Sequence, residues 1–313
     1  MSSRAISPMD PVVTTIIPTY NRSAETRRAI ESVLNQTYNA IELIIVDDGS
    51  TPPISQSIAI NSDEANVNII AHESNRGANV ARNTGIDAAH GEYIAFLDSD
   101  DEWVDTKIER QLTAIHNTAY EAAYTSVKHV NPAGELNGIS QARTDGNIQR
   151  ALLKKNVVGS FSTLLISRTA IDEVGRTDPS LPCWQDWEWY LRLSQSVDFH
   201  AINEPLTISH SGSDQISRNF ASKREVAYPI MKQRISEYAP NERTARIALA
   251  YLDFQLGYAA LVHGRYDISR SQFFSAIRAY PWEPSFYQYL ICAGPQYSTV
   301  RSLKHWLIRL TVA

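Results

Sequence analysis

Through its first hundred residues the chain switches repeatedly between two hydrophobic periods. Val12–Pro18 is a continuous, largely β-branched apolar run that gives way to Thr19–Tyr20–Asn21, and it reads as a fully buried strand. Ser23–Gln36 follows with Ala29, Ile30, Val33 and Leu34 at helical spacing. Ile41–Val46 reads as a second buried strand, closed by Asp47–Asp48–Gly49–Ser50. A loop with Pro52–Pro53 and a short helix lead to a third strand, Val67–Ala71; Gly77–Ala89 then reads as a helix and Tyr93–Leu97 as a fourth strand. Strands alternating with helices at this spacing predict right-handed βαβ units and a mostly parallel sheet covered on both faces.

From about Ala122 the pattern is less regular. Ala122–Val130, Phe161–Ser167 and Phe199–Ile208 read as strands, Ile148–Lys155 as a short helix, and Cys183–Trp184–Gln185–Asp186–Trp187–Glu188–Trp189–Tyr190 leads into a helix with Asp186 at its start. From Lys223 the pattern is all helical, with helices over Arg246–His263 and Tyr266–Tyr280 broken at Gly264. Within them Gly257, Phe273, Ala276 and Pro281 fall at spacings that resemble one tetratricopeptide repeat. One repeat cannot bury its own face, so this pair is expected to dock on the rest of the chain or on another copy, as in a homo-oligomer. The expected division is an α/β region over 1–220, in halves of about 10–120 and 121–220, and a helical extension over 221–313.

Composition narrows the classes. With 313 residues, 43% hydrophobic and 20% charged, the chain can bury a core and is not disordered. A net charge of −5 argues against a broad basic face for nucleic acid. Cys183 and Cys292 stand too far apart in sequence to form a zinc motif or a disulfide framework, which fits a reducing, cytoplasmic setting. The first apolar run is too short for a signal peptide, and no run of about 18 apolar residues offers a membrane span.

In open parallel sheets ligands bind outside the carboxyl ends of the strands. Those ends here carry Thr19–Tyr20–Asn21–Arg22, Asp47–Asp48–Gly49–Ser50 and Asp98–Ser99–Asp100–Asp101. Turn chemistry accounts for the second of these. It does not account for three carboxylates within four residues, which repel one another unless a cation or a function holds them together.

Pro18–Thr19–Tyr20–Asn21–Arg22, Asp47–Asp48–Gly49–Ser50, Asn75–Arg76–Gly77 with Ala81–Arg82–Asn83, Asp98–Ser99–Asp100 and Gln185–Asp186–Trp187 occur in this order. Together they resemble the family 2 glycosyltransferases of the GT-A fold, over roughly residues 10–215. The resemblance implies an α/β fold with a Rossmann-like sheet, a nucleotide diphosphate sugar as donor, UDP before GDP, and a glycan or polyprenyl-phosphate-linked acceptor. It further implies a divalent cation, Mn²⁺ or Mg²⁺, that bridges the donor's phosphates. By the same resemblance Asp100 is the metal ligand, and Asp98 contacts the ribose or reaches the metal through water, with Ser99 between them. Asp48 accepts from the base with Tyr20 beside it, Pro18 and Thr19 line that pocket, and Arg82 lies near the phosphates or ribose. Asp47 shapes its turn, and Asp101 reads as the first residue of a helix before Trp103.

Asp186 is expected as the catalytic base of an inverting displacement. Many relatives carry Glu-Asp where this chain has Gln185–Asp186, a departure that keeps the base. His210, ahead of Ser211–Gly212–Ser213, is a candidate second metal ligand. Trp184 and Trp187 are candidates for an acceptor platform, Trp184 before Trp187. Near the C-terminus Arg301, Lys304, His305 and Arg309 alternate with Leu303, Trp306, Leu307, Ile308 and Leu310. A short basic helix of this kind in 298–313 could lie on the cytoplasmic membrane face or fold onto its own domain.

Other classes are weaker. No GxGxxG follows the first strand and no P-loop motif occurs, which disfavours a dinucleotide-dependent dehydrogenase and a P-loop enzyme. A phosphatase with an aspartyl nucleophile would carry its Asp-x-Asp after the first strand. A non-catalytic helical-repeat scaffold would need neither Asp100 nor Asp186. A metal-dependent nucleotidyltransferase would release diphosphate in place of a nucleoside diphosphate.

Overall fold

The computed structural model describes residues 12–58, 66–118, 120–210 and 219–295. Its first 210 residues form β1 (Val13–Thr19), α1 (Ser23–Leu34), β2 (Ile41–Asp47), α2 (Ile54–Ser57), β3 (Val67–Ala71), α3 (Ala78–Ala88), β4 (Tyr93–Phe96) and β5 (Asp101–Trp103). There follow α4 (Lys107–Thr118), β6 (Ala122–Val130), β7 (Leu136–Ser140), α5 (Gln149–Leu152), β8 (Leu164–Ser167), α6 (Arg168–Val174), α7 (Gln185–Leu193) and β9 (Phe199–His210). The nine strands among the described residues join one sheet of order β3-β2-β1-β4-β8-β6-β9-β5, with β7 paired to β6. Pairs among β3, β2, β1 and β4 are parallel. The β4–β8, β8–β6 and β9–β5 pairs are antiparallel, and β6–β9 is parallel. This is the GT-A type of α/β sheet.

Every residue of β1 is buried, as are Leu43–Asp47 of β2. A continuous apolar strand suits a central position with helices on both faces. Val13, Ile17, Leu43, Ile45, Ala95 and Leu97 meet Ala29, Ile30 and Val33 of α1 and Ile108 and Leu112 of α4 in one core. The opposite face takes α3, where Gly85 makes room for Ile16: a Cβ there would lie 2.4 Å from the isoleucine side chain.

Register sets the rim. Thr19 pairs with Asp47 and Asp47 with Ala71, so β1, β2 and β3 end in line. Two ladder bonds carry the alignment one step further, from the Asp48 amide to the Thr19 carbonyl and from the His72 amide to the Asp47 carbonyl. Where β4 ends, the Leu97 amide still donates to Ile16 and the chain turns into the acidic loop.

The chain separates into two compact units. One holds the described residues up to Leu152, Asn156–Leu181 and Gln185 to His210. The other holds Leu153–Lys155, Pro182–Trp184 and the described residues from Asn219. This second unit contains α8 (Phe220–Ser222), a π-helical turn at Lys223–Ala227, α9 (Tyr228–Tyr238), α10 (Glu242–Val262), α11 (Tyr266–Ala279) and α12 (Pro284–Ile291). Asn241 caps α10 by accepting from the Thr244 amide. Gly257 lets α11 approach α10, since a Cβ there would meet the Phe273 ring at 2.8 Å. The two helices break at Gly264, whose φ of +68° suits glycine. The basic stretch 298–313 lies outside the described residues. Among the described residues no helix is long and apolar enough to cross a membrane.

Candidate functional site

The β2 turn separates the two aspartates by task. Asp47 accepts from the Ser50 and Ile54 amides with its two oxygens, which shapes the turn. Gly49 sits at φ +82° with its Cα against the Ser74–Asn75 backbone; a Cβ would come within 2.6 Å of the Ser74 carbonyl carbon. That close approach brings the Arg76 and Gly77 amides onto Asp48, at 3.0 and 2.8 Å. His72, a residue without any motif to mark it, adds its Nδ1 at 2.7 Å from Asp48 Oδ1. Thr19 is buried and hydrogen-bonded to Thr26, Pro18 is buried in β1, and the Tyr20 ring is 44% exposed on the same rim.

The second group gathers around Arg82, whose side chain is only 6% exposed. Its guanidinium reaches Asp98 Oδ1 at 2.6 Å, Asn79 Oδ1 at 3.2 Å and Gln185 Oε1 at 3.1 Å. It also stacks over Phe161, 4.0 Å from the ring centre. The glutamine that replaces the more usual glutamate therefore accepts a bond from this arginine, and its Nε2 donates to the Leu181 carbonyl. One residue on, Asp186 accepts from the Trp187 amide at 2.8 Å and from Asn156 Nδ2 at 3.0 Å. Burial pushes Asp186 up to about 6; the Trp187 amide opposes this, Asp98 adds to it and Arg82 counters it. Burial likewise holds the Tyr190 hydroxyl well above its ordinary value, with the charges of Asp186 and Asp98 acting in the same direction. That hydroxyl donates to the Ser160 carbonyl.

The acidic loop is charge-strained. Ser99 is buried between two carboxylates of intermediate exposure. Burial and then the neighbouring Asp98 raise Asp100 above the usual carboxylate range, against the pull of Arg22. Arg22 Nη1 stands 2.7 Å from Asp100 Oδ2. Asp101 is not the start of a helix. It opens β5, pairs with Ser209 of β9 and is buried, which with Asp98 pushes its carboxyl up to about 8. The partner of the edge strand, not the local sequence, decides this conformation.

One further expectation changes. Trp187 is 2% exposed and its indole N–H donates to the Leu152 carbonyl, so it is a core residue and offers no platform for an acceptor. His210 ends β9 with Nε2 against Glu102, which also pairs with Arg28. Among the described residues no three His, Cys, Asp or Glu side chains gather as a metal site. Trp184 belongs to the second unit, at φ +58°, with the Lys223 ammonium 5.3 Å from its ring.

A mixed sheet, parallel across β3, β2, β1 and β4, with carboxylates at its strand ends, a buried arginine and a helix-borne acid of raised pKa, is of the GT-A class. The model of the family described as "Glycosyl transferase family 2" matches residues 14–175, and the chain belongs to that family. A Bacillus subtilis relative, the putative teichuronic acid biosynthesis glycosyltransferase TuaG, is 30% identical over 67% of this chain and 82% of its own length. An Escherichia coli relative, the UDP-Glc:alpha-D-GlcNAc-diphosphoundecaprenol beta-1,3-glucosyltransferase WfaP, is 32% identical over 52% of this chain and 63% of its own. An uncharacterized glycosyltransferase of Rickettsia bellii is 39% identical over 44% of this chain, but the match spans only 20% of that relative. Among solved structures, S. aureus TarS 1-349 gives a TM-score of 0.62 at 17% identity, over 86% of this chain and 81% of that one. The mannosyltransferase PcManGT from Pyrobaculum calidifontis, in complex with GDP-Man and Mn²⁺, gives 0.59 at 15% identity, over 97% and 87%. At these identities the two structures speak for the fold.

Proposed function

We propose that the chain is an inverting glycosyltransferase. It would move a sugar from a nucleotide diphosphate sugar, UDP favoured, to a hydroxyl of a glycan or lipid-linked glycan, with Asp186 as general base. The observation that carries this reading is the meeting of Asp98, Arg82 and Gln185 at the start of α7, beside a carboxyl held at about 6. Such a group is ionised at neutral pH, yet it is a better proton acceptor than an ordinary aspartate. It takes the acceptor's hydroxyl proton as that oxygen attacks C1 of the sugar, while the bond from C1 to the diphosphate oxygen breaks. One displacement with one base inverts the anomeric centre.

Arg82, its side chain largely buried, offers its guanidinium to the departing diphosphate. Asn156 and the Trp187 amide aim the Asp186 carboxylate and oppose its protonation. Asp48 accepts from the base, and the exposed Tyr20 ring supplies a face for it to lie on. Asp98 and Asp100 fit a divalent cation: their oxygens are hard donors, and burial followed by the charge of Asp98 raises Asp100, which such an ion would offset. When bound, that ion would act as a Lewis acid on the diphosphate. Both the Mn²⁺ in the PcManGT complex and the donor and acceptor in the printed name of WfaP support this choice of partners.

The test is to incubate the purified protein and Mn²⁺ with a panel of nucleotide sugars and a diphosphoundecaprenol-linked glycan. Nucleoside diphosphate release that depends on acceptor, and that falls in Asp186→Asn, is the expected result. Release of inorganic diphosphate in its place would make the chain a nucleotidyltransferase.

A further inference from the structure

The register that ends β1, β2 and β3 in line places Asp48 and His72 side by side on the rim. Both are enclosed, with side chains 4% and 6% exposed. An ionised carboxylate can only accept, so His72 Nδ1 carries the proton and donates to Oδ1 across 2.7 Å. The other ring nitrogen lies 3.0 Å from Thr84 Oγ1 on α3, which fixes the plane of the imidazole. Oδ1 accepts a second bond from the Arg76 amide, and Oδ2 accepts one from the Gly77 amide. A carboxylate offers about four acceptor positions. Oδ1 is full, and one position is left, on Oδ2.

We propose that His72 is a specificity-determining positioning residue for the donor's base, an inference that rests on reading Asp48 as the base-facing carboxylate. By closing Oδ1 it leaves Asp48 able to serve one donor. The matching edge has a single N–H between two carbonyls, the N3–H of uracil or thymine. Guanine presents N1–H and an exocyclic N–H side by side, and both are satisfied only when both carboxylate oxygens are open. With Oδ1 closed, one of those donors is buried without a partner, which a site of this kind rejects. Cytosine turns an acceptor, N3, toward the carboxylate and is rejected by charge.

Calorimetric titration of the full chain with UDP, dTDP, CDP and GDP in the presence of Mn²⁺ reads this out. UDP, dTDP or both should bind at least about tenfold tighter than GDP and CDP. The UDP to dTDP ratio distinguishes the two sources of an N3–H edge. His72→Ala removes both the donor and the bulk over Oδ1, so GDP should gain on UDP and the ratio should shrink to within about threefold. His72→Asn returns a donor to Oδ1 and should restore most of the discrimination. A purely structural role would weaken all four nucleotides together. Wild-type protein that binds GDP as tightly as UDP overturns the inference and leaves glycosyl transfer standing. Discrimination unchanged in a folded His72→Ala also overturns it, and wild-type protein that binds no nucleoside diphosphate overturns both.

Discussion

Replacing Asp186 by Asn removes the proton acceptor while keeping the shape of the side chain. A positioned base contributes about 10²–10⁴ in rate, so kcat should fall by that factor, equivalent to about 3–5 kcal/mol of barrier. Nucleoside diphosphate affinity should stay within a few-fold, because the carboxylate acts on the acceptor. The pKa adds a sharper signature. A base that titrates at about 6 must lose its proton to work, so kcat/KM should fall tenfold per unit on the acid side of pH 6 and level off above it. Asn156 donates to Asp186 Oδ2 and favours the ionised form. Asn156→Ala removes a hydrogen bond to a charged group, worth about 1.5–3 kcal/mol, so the acid limb should move up by about one pH unit or more. The assay is initial-rate nucleoside diphosphate release between pH 4.5 and 8.5 in the three proteins. An acid limb in wild type near the ordinary aspartate value, or a limb unmoved in Asn156→Ala, would refute the argument. So would an Asp186→Asn protein within threefold of wild-type kcat.

Asp100→Ala should cost Mn²⁺-supported nucleotide binding about tenfold or more while leaving metal-free binding unchanged, and titrations with and without Mn²⁺ decide it. Gly49→Ala forces a side chain into a positive-φ turn and against the Ser74 backbone at 2.6 Å, so it should lose at least about 2 kcal/mol in denaturant unfolding. For Asp101, whose folded pKa of about 8 lies above the unfolded value, the native chain holds a proton that the unfolded chain releases between about pH 4 and 8. Wild-type stability is therefore lost as pH rises through that window, and the Tm advantage of Asp101→Asn should grow from pH 4 to 8 and then stay flat.

The parts of the fold that sequence reveals are those whose cause is local. Val67–Ala71 and Ala122–Val130 read as strands from their β-branched and apolar runs, and the structure keeps those limits, with Ala122–Val127 buried and β3 only partly covered at the end of the sheet. β5 is three residues, two of them acidic, and only its ladder to β9, a hundred residues on, makes it a strand. β7 is exposed throughout and carries no hydrophobic signal. Trp187 shows the same limit in the site. Three tryptophans and a tyrosine in Trp184–Tyr190 suit a sugar platform, but the helix turns Trp187 and Trp189 inward, where their N–H groups meet the Leu152 and Gly175 carbonyls. The strand-end carboxylates were legible because turn and strand positions are local. His72, which holds Asp48, and Asn156, which holds the helix-borne Asp186, come from other elements and no spacing announces them.

The chain's net charge of −5 hides how differently its rim carboxylates are neutralised. Asp47 is satisfied by backbone amides and Asp48 by amides and His72, arrangements that fix both carboxyl groups in place. Asp98 is paired with Arg82, and Asp101 stays protonated near neutrality. Asp100 and Asp186 differ from these. Asp100 is raised despite its arginine partner, which marks a carboxylate that still gains from a second cation. Asp186 is raised although two donors hold it, which marks one that gains from a proton. A nucleotide diphosphate with its metal would bring the first, and an acceptor hydroxyl in attack would bring the second.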